Sequence, residues 1–350
     1  MPETNTNTRS PGISPTQPAT ETETYANASA EIVADDDSSV YAETEWSSSD
    51  SASIASSVMH YRYENGRRYD SYGQGRYMMP NDEWEQDRLD LVHHIFLLLF
   101  KGELFIAPIE SPQAILDLGT GTGIWAMDVA DNFPSARVIG NDLSPIQPHY
   151  FPPNLEFHIG DFEEDWDHPA DYFDFIHART ISGCVYDWPR LLQRILHHLK
   201  PGGYFEIVEA AFWSWSDDGT LKDDSPYMQY IRDLNEAGEK LGREMNVAHK
   251  LKGWLINAGF EAVTEKVYLL PLGPWPKDPR LKEVGKWESI AAPESVEAYG
   301  LRLYTQILGW SVEEARNHQE RVKKQLRERS LHAYCKVYAV YGRKPSPTPG

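Results

Sequence analysis

The apolar residues between Asp82 and Leu99 recur at the spacing of an amphipathic helix. They are Trp84, Leu89, Val92, Ile95, Phe96 and Leu99. Asp82 and Glu85 stand three positions apart at the start of this run, as in a capping box, and predict where the helix begins. The preceding stretch, residues 59–80, is dense in tyrosine, arginine and glycine and is predicted to be ordered but irregular.

From Gln113 onward, short apolar runs alternate with helical patterns. The runs predict five strands, at 114–119, 137–143, 155–161, 172–179 and 204–210, and the stretches between them predict helices at 124–132 and 188–199. Strands that alternate with helices indicate a parallel sheet covered on both faces. Two further strand patterns follow at 260–270 and 332–344, with a helical stretch at about 311–329 between them.

The first 57 residues differ from the rest of the chain in composition. They carry ten acidic residues against one arginine, and few large apolar side chains. Such a segment cannot bury enough surface to offset its chain entropy, so we expect residues 1–57 to be a disordered acidic tail. The pattern therefore predicts this tail, a helical cap at 58–110 and a domain at 111–345 with an insert at about 213–258.

Charge and cysteine content narrow the class of function. The net charge of −20 opposes contact with phosphate backbones, so we expect no direct binding of nucleic acid. Two distant cysteines, Cys184 and Cys335, fit a reducing compartment, and the N-terminus lacks the pattern of a secretory signal. No apolar run approaches the ~20 residues of a membrane span. These features predict an intracellular protein of the nucleus or cytoplasm that does not enter a membrane.

The stretch ILDLGTGTGIW, residues 115–125, places three glycines on alternate positions directly after the first parallel strand. A dinucleotide fingerprint, G-x-G-x-x-G, requires its third glycine at the position of Ile124. The chain instead reads Asp117, Gly119, Gly121 and Gly123, which resembles the D-x-G-x-G-x-G motif of class I S-adenosylmethionine (SAM) methyltransferases. Glycines let the backbone approach a ligand without Cβ clashes. We call residues 119–123 the Gly loop. The alternative to a cofactor site is that this loop is only a tight strand-to-helix turn and holds no ligand.

Polar and aromatic residues end the next strands. Asp142 can accept both ribose hydroxyls, in an NAD site as well as a SAM site. Asp161 can accept from an adenine amino group, and Phe162 can cover the ring. Because the carboxyl ends of parallel strands meet at one sheet edge, these residues are predicted to converge on the Gly loop. Arg179, at the end of the fourth strand, is either a carboxylate clamp or the partner of a nearby acid.

Longer stretches resemble a narrower family, the fungal LaeA-type methyltransferases, over about residues 60–345. The matching stretches are ENGRRY (64–69), MPNDEWEQDRLDL (79–91), LDLGTGTGIWA (116–126), NDLSPIQP (141–148), DWPRL (187–191), LKPGGYFEIVE (199–209) and LPLGPWP (270–276). The first two form the most specific combination. Two stretches depart from the family pattern: GTGTG (119–123), where LaeA-like sequences often read GCGTG, and HARTISGCVYD (177–187), which differs more and lies beside the expected acceptor pocket.

The resemblance implies a fold, a cofactor and partners. The fold is an α/β, Rossmann-like class I methyltransferase with a seven-stranded, mostly parallel sheet whose last strand is antiparallel, plus an N-terminal helical extension. The cofactor is SAM, and the acceptor is a small molecule or a protein. LaeA is a nuclear regulator of secondary metabolism that acts with velvet proteins, so velvet-type partners are also implied. The residues that match the SAM site are Asp117, Gly119, Thr120, Gly121, Gly123, Asp142, Leu143, Asp161, Phe162 and Arg179.

The sequence does not single out a catalytic residue. His177 and His149 are candidate bases, although a histidine at a strand end is more often structural. The adjacent histidines at 93–94 and 197–198 point in divergent directions, and we expect no metal site. Residues for a lid over SAM, or for fixing the first helix to the sheet, are Tyr63, Tyr69, Glu85 and Arg88. The aromatic run FWSWS (212–216) either lines an acceptor pocket or packs in the core.

Three functions remain open from the sequence. The first is a LaeA-type SAM-dependent methyltransferase that either regulates secondary metabolism or tailors a metabolite as a small-molecule O- or N-methyltransferase. The second is a regulatory scaffold that binds SAM and acts through protein partners with little methyl transfer. The third, an NAD(P) dehydrogenase, is disfavoured by the glycine spacing.

Overall fold

The computed structural model describes residues 61–69 and 77–346, so the expected tail at 1–57 lies outside the described residues. The strands are β1 Arg62–Glu64, β2 Arg67–Tyr69, β3 Ala114–Leu118, β4 Arg137–Asp142, β5 Leu155–Ile159, β6 Phe173–Arg179, β7 Leu199–Trp215, β8 Glu261–Pro271 and β9 Tyr334–Arg343. The helices are α1 Glu83–Leu99, α2 Ile124–Asn132, α3 Trp188–His198, α4 Pro226–Leu241, α5 Leu251–Ala258, α6 Pro279–Arg302 and α7 Val312–Leu326.

The central sheet confirms the predicted class I topology. Its strand order is β5-β4-β3-β6-β7-β9-β8. Strands β3 to β7 run parallel, and β9 runs antiparallel to both β7 and β8. β3 is buried along its length, as a central strand with helices on both faces requires. The strand order reverses beside β3, which pairs with β4 on one side and β6 on the other, and ligands bind at such a switch point in open α/β sheets.

The β7 strand corrects a predicted boundary. The sequence pattern ended a helix at Leu199 and began the strand at Tyr204, with a turn at KPGG. The structure continues the strand from Leu199 to Trp215, because Leu199 pairs with Phe173 of β6 and Trp215 pairs with Tyr334 of β9. The turn residues are absorbed as a register shift next to β6. The FWSW aromatics therefore lie on the strand and not after it.

The long helix α6 was missed by the sequence pattern, which placed one helix, at 311–329, between the last two strands. Asp278 caps its start by accepting from the Leu281 N–H at 2.9 Å, and Pro279 occupies its first turn. Pro293 lies inside it and masks the periodicity. The helix that was predicted appears as α7, which begins with a capping box between Ser311 and Glu314.

The N-terminal segment forms a β-hairpin before α1. β1 and β2 pair antiparallel around Asn65-Gly66, a turn dipeptide that favours hairpins and that the sequence analysis overlooked. Asp82 caps α1 as predicted, accepting from the Glu85 N–H at 3.1 Å.

The helices divide between the two faces of the sheet. α3 and α5 pack on one face in a core that includes Leu116, Phe205 and Ile207. On the opposite face, α2 packs on Ile115 and Phe175, and α1, α4, α6 and α7 share a second core with Val208. Of the helices in the described ranges, none combines the length and apolarity needed to cross a membrane.

Candidate cofactor and acceptor site

The Gly loop connects β3 to α2 in a backbone conformation that favours glycine. Gly119, Gly121 and Gly123 have φ values of +68°, +58° and +81°. Residues other than glycine rarely adopt this left-handed backbone conformation. A Cβ atom added at Gly123 would also overlap the Phe157 ring of β5. The three alternate glycines are therefore required by the backbone itself.

Asp117 lies under the Gly loop and is paired with His177. Its Oδ1 atom is 2.7 Å from His177 Nδ1, and both residues are buried. The His177 ring stacks on Trp125 with centroids 3.7 Å apart. Burial lowers the pKa of His177, although the Asp117 carboxylate opposes the shift. His177 thus positions Asp117, while the other candidate base, His149, is exposed in the loop after β4.

Asp142 ties the end of β4 to the Gly loop. Its carboxylate accepts from the Gly121 N–H and from the Ser144 N–H, both at 2.8 Å. Thr120 is buried, and its N–H donates to the Asn141 carbonyl at 2.9 Å. Leu143 is half-buried directly after Asp142. The structure therefore brings these predicted residues of the first two strand ends together.

The end of β5 lies against the same loop. Asp161 Oδ1 accepts from the Glu163 N–H at 2.8 Å, which makes a tight turn. This turn carries Phe162 into a buried position. A Cβ atom added at Gly119 would lie 3.8 Å from the Phe162 ring and 3.0 Å from Ile181, so both side chains face the glycine.

Arg179 ends β6 among groups from two helices. Its Nη2 atom is 3.1 Å from His93 Nδ1, and His93 Nε2 is 2.9 Å from Asp128 of α2. The guanidinium lies over the Phe96 ring, 4.9 Å from its centroid. Burial lowers the pKa of Arg179 to about 10, while Asp117 and Asp128 oppose the shift. Arg179 therefore lies between Asp117 and helix α1.

The neighbouring histidine points elsewhere. His94 packs edge-to-face on Trp287 of α6, with centroids 5.0 Å apart, whereas His93 contacts Arg179 and Asp128. Within residues 61–69 and 77–346, no group of three or more His, Cys, Asp or Glu side chains is placed to hold a metal ion.

Helix α1 covers the Gly loop through specific contacts. Leu89 would lie 3.5 Å from a Cβ atom at Gly121, and the Thr122 hydroxyl donates to Asp90 at 2.6 Å. Glu85 and Arg88 form a buried bidentate pair, at 2.6 and 2.9 Å. The predicted lid tyrosines lie on the hairpin: Tyr63 is exposed, and Tyr69 is buried beneath Arg302.

A cavity of about 160 Å³, the chamber, lies beside the Gly loop and is lined by residues of α1, α4, α6 and the carboxyl end of β7. Its aromatic lining consists of Phe96, Phe212, Tyr227, Tyr230 and Tyr299. Of the FWSWS aromatics, Phe212 lines the chamber, whereas Trp215 stacks on Tyr334 at 6.3 Å. Helix α6 also contributes Glu288 to the lining. Sequence reasoning missed this residue because it missed the helix. The signal that could have predicted the helix was Asp278-Pro279, a cap residue followed by a proline at the first helical position.

Glu209 builds the wall between the Gly loop and the chamber. Its carboxylate accepts from the N–H groups of Ile181 and Ser182, at 2.6 and 3.0 Å, and from the Ser182 hydroxyl at 2.7 Å. Burial raises the pKa of Glu209 to about 7, and these hydrogen bonds oppose the shift. The segment Thr180–Ser182 therefore faces Gly119 with one side chain and the chamber with the other two.

Comparison with known proteins agrees with this arrangement. Residues 91–265 match a family described as a methyltransferase domain. Methyltransferase pytC of Aspergillus terreus is 43% identical over 297 residues, which cover 84% of this chain and 91% of pytC. Secondary metabolism regulator LAE1 of Cochliobolus heterostrophus is 38% identical, covering 81% and 94% of the two chains. Protein-methionine methyltransferase laeA of Emericella nidulans is 38% identical, covering 81% and 76%. The chain therefore belongs to the LaeA-type family of SAM-dependent methyltransferases.

Proposed function

We propose that the chain binds SAM on the Gly loop and transfers its methyl group to a small-molecule acceptor in the chamber. The observation that carries this proposal is that the Gly loop and the chamber share a wall of side chains. Leu89 faces Gly121 and also lines the chamber. Ile181 faces Gly119, while its neighbours Thr180 and Ser182 line the chamber. Donor and acceptor would therefore lie on the two sides of a thin layer of side chains.

The residues around the Gly loop fit the parts of SAM. The glycine backbone allows close approach of a ligand without phosphate. Asp142, already fixed by two backbone N–H groups, would accept from the ribose hydroxyls. Asp161 and Phe162 would bind the adenine amino group and cover the ring. Asp117 and Arg179 carry the charges that complement the ammonium and carboxylate of the amino acid end.

The chain's own contribution to the reaction is alignment. SAM supplies a methyl group that its sulfonium already activates. Holding donor and acceptor in line can contribute about 7–11 kcal/mol in well-oriented reactions. The buried hydrogen bonds of Glu209 fix the segment Thr180–Ser182 on which this alignment depends.

A regulatory function is the second candidate, because one relative is named a secondary metabolism regulator and another a protein-methionine methyltransferase. In that case the acceptor is a protein, and the chain acts in the nucleus with protein partners such as velvet-type proteins. The same SAM site serves both functions.

Calorimetry and labelled turnover test the proposal. We expect S-adenosylhomocysteine (SAH) and SAM to bind the full chain, and Asp142→Asn to weaken SAH binding at least tenfold. Asp165→Asn, at a carboxylate that is 94% exposed, is the matched control and should bind as the wild type does. With tritiated SAM and a cell extract, label in the small-molecule fraction supports the first candidate, and label in protein supports the second. No heat from SAM or SAH contradicts both.

A further inference from the structure

The lining of the chamber defines the shape of molecule that fits it. The walls are aromatic and aliphatic, with Phe212, Tyr230 and Tyr299 facing leucine, valine and alanine side chains. An apolar cavity of about 150 Å³ holds one benzene-sized ring. At about 160 Å³, the chamber therefore has room for a single aromatic ring.

Of the three Arg and Glu side chains that line the chamber, two are paired. Arg88 is bound by Glu85 and by the Ser295 hydroxyl, and Glu209 accepts from three donors. Glu288 of α6 lines the chamber without a hydrogen-bond or ion-pair partner among the described residues. A carboxylate in an apolar pocket is costly unless something pairs with it. A ligand hydroxyl, which both donates and accepts, would hydrogen-bond to this carboxyl in either of its protonation states.

The surroundings of Glu288 bring the pKa of its carboxyl close to neutral pH. Burial raises the pKa of Glu288 to about 8, and the Arg88 charge on α1 opposes the shift. Tyr227 on α4 and Cys335 on β9 also interact with Glu288, and both are buried and uncharged at neutral pH. Glu209 on β7 and Tyr299 on α6 line the same chamber. A base whose pKa lies near the working pH is suited to take a proton from a weak acid.

We infer that the acceptor is a single-ring aromatic compound with a phenolic hydroxyl, and that Glu288 receives the hydroxyl proton during transfer. This inference rests on the proposed function and adds the substrate class and a catalytic residue. The phenolic oxygen forms a bond to the methyl carbon as the carbon–sulfur bond of SAM breaks. The sulfonium becomes the thioether of SAH, and the proton passes to the Glu288 carboxylate and then to water.

Radiometric assays with orcinol and p-cresol test the inference. With tritiated SAM, we expect the wild type to form the methyl ethers and kcat to rise with pH through an apparent pKa near 8. Glu288→Gln should lower kcat at pH 8.5 at least 100-fold and abolish this rise, without changing the Kd for SAH. Glu294→Gln, an exposed acid on the same helix, is the matched control and should behave as the wild type.

A second variant tests the place of binding independently of the carboxylate. Ala292→Leu narrows the chamber from α6 and should raise the KM for orcinol at least tenfold, with SAH binding unchanged. An unchanged KM, or a Glu288→Gln enzyme as fast as Glu294→Gln, overturns the inference. So does a wild type that binds SAH but methylates neither phenol, or that methylates m-toluidine instead. Failure to bind SAH would contradict the proposed function and not this inference alone.

Discussion

The cofactor half and the acceptor half of the molecule are specified in different ways. The cofactor half, which consists of β3 to β5, α2 and the Gly loop, takes most of its predicted ligand-binding groups from one continuous stretch, residues 117–162. The acceptor half consists of α1, α4, α6, α7 and β7 to β9. Its chamber is lined by residues that are scattered along the chain between Arg88 and Cys335.

This contrast explains why the sequence reveals the cofactor site but not the acceptor site. In the Gly loop, the backbone conformation excludes other residue types, so the glycines themselves report the site. In the chamber, ordinary residues such as Tyr230 and Glu288 acquire a role only because α1, α4 and α6 meet. The acceptor half should therefore depend on long-range side-chain pairs, and the cofactor half on local backbone geometry.

Breaking the Arg88–Glu85 pair should have the largest effect. Both side chains are buried, at 6% and 3% exposure, and Arg88 also donates to Ser295 of α6 at 3.2 Å. Arg88→Met leaves the Glu85 charge unpaired, so we expect the free energy of unfolding to fall by about 3–5 kcal/mol. Urea denaturation measures this loss. The double variant Glu85→Gln/Arg88→Met should recover most of it.

The matched control for Arg88 is an exposed ion pair in the cofactor half. Arg137 and Glu156 form a bidentate contact between β4 and β5, with both side chains 47% exposed. Arg137→Met should lower the free energy of unfolding by only about 0–1 kcal/mol, because water screens such pairs. Equal losses from Arg88→Met and Arg137→Met would contradict the contrast between the two halves.

Glu206, on β7 of the acceptor half, gives stability a pH dependence of definite sign. Its carboxylate accepts from the N–H groups of Ile106 and Ala107, at 2.8 and 2.6 Å, and burial raises its pKa from 4.5 to about 7. Because the folded-state pKa is the higher one, its stabilisation is complete below about pH 4.5 and is lost as pH rises through about 7. This shift corresponds to roughly 3 kcal/mol.

Urea titrations of the wild type and Glu206→Gln between pH 4.5 and 8 measure that dependence. The wild type should lose stability relative to the variant as pH rises, by roughly 3 kcal/mol over the range. A difference that stays constant with pH would show that the Glu206 carboxyl does not take up a proton on folding.

The elements show how far the sequence could predict this molecule. α2 has the predicted bounds, because the Gly loop marks its start and its apolar spacing is regular. The end of the α3 helix was misjudged by one residue and the start of β7 by five, because pairing with β6 and β9 extends the strand through a turn motif. α6 was missed because Pro293 interrupts its pattern. Because Glu288 lies on α6, it was missed together with the helix, and the acceptor chemistry could not be predicted from the sequence.

Gly123→Ala tests whether the cofactor half depends on local backbone geometry. A non-glycine residue at φ +81° costs about 1–3 kcal/mol, and the added Cβ atom would also overlap Phe157. We expect lower stability in urea and at least tenfold weaker SAH binding in calorimetry, because the loop must shift. Gly102→Ala is the control: φ is +90°, but no atom lies within 4 Å of the added Cβ. It should lose stability and keep its SAH affinity; equal losses of affinity would refute the local explanation.

Thr122→Val should have the smallest effect and tests whether α1 couples the two halves. The Thr122 hydroxyl donates to Asp90 of α1 at 2.6 Å, and Asp90 is exposed enough for water to replace the bond. We expect the free energy of unfolding to fall by about 1 kcal/mol. If α1 holds the Gly loop in its binding conformation, SAH affinity should also fall several-fold, whereas Thr122→Ser, which keeps the hydroxyl, should match the wild type in both measurements. A loss of stability with unchanged SAH affinity would assign α1 to the acceptor half alone.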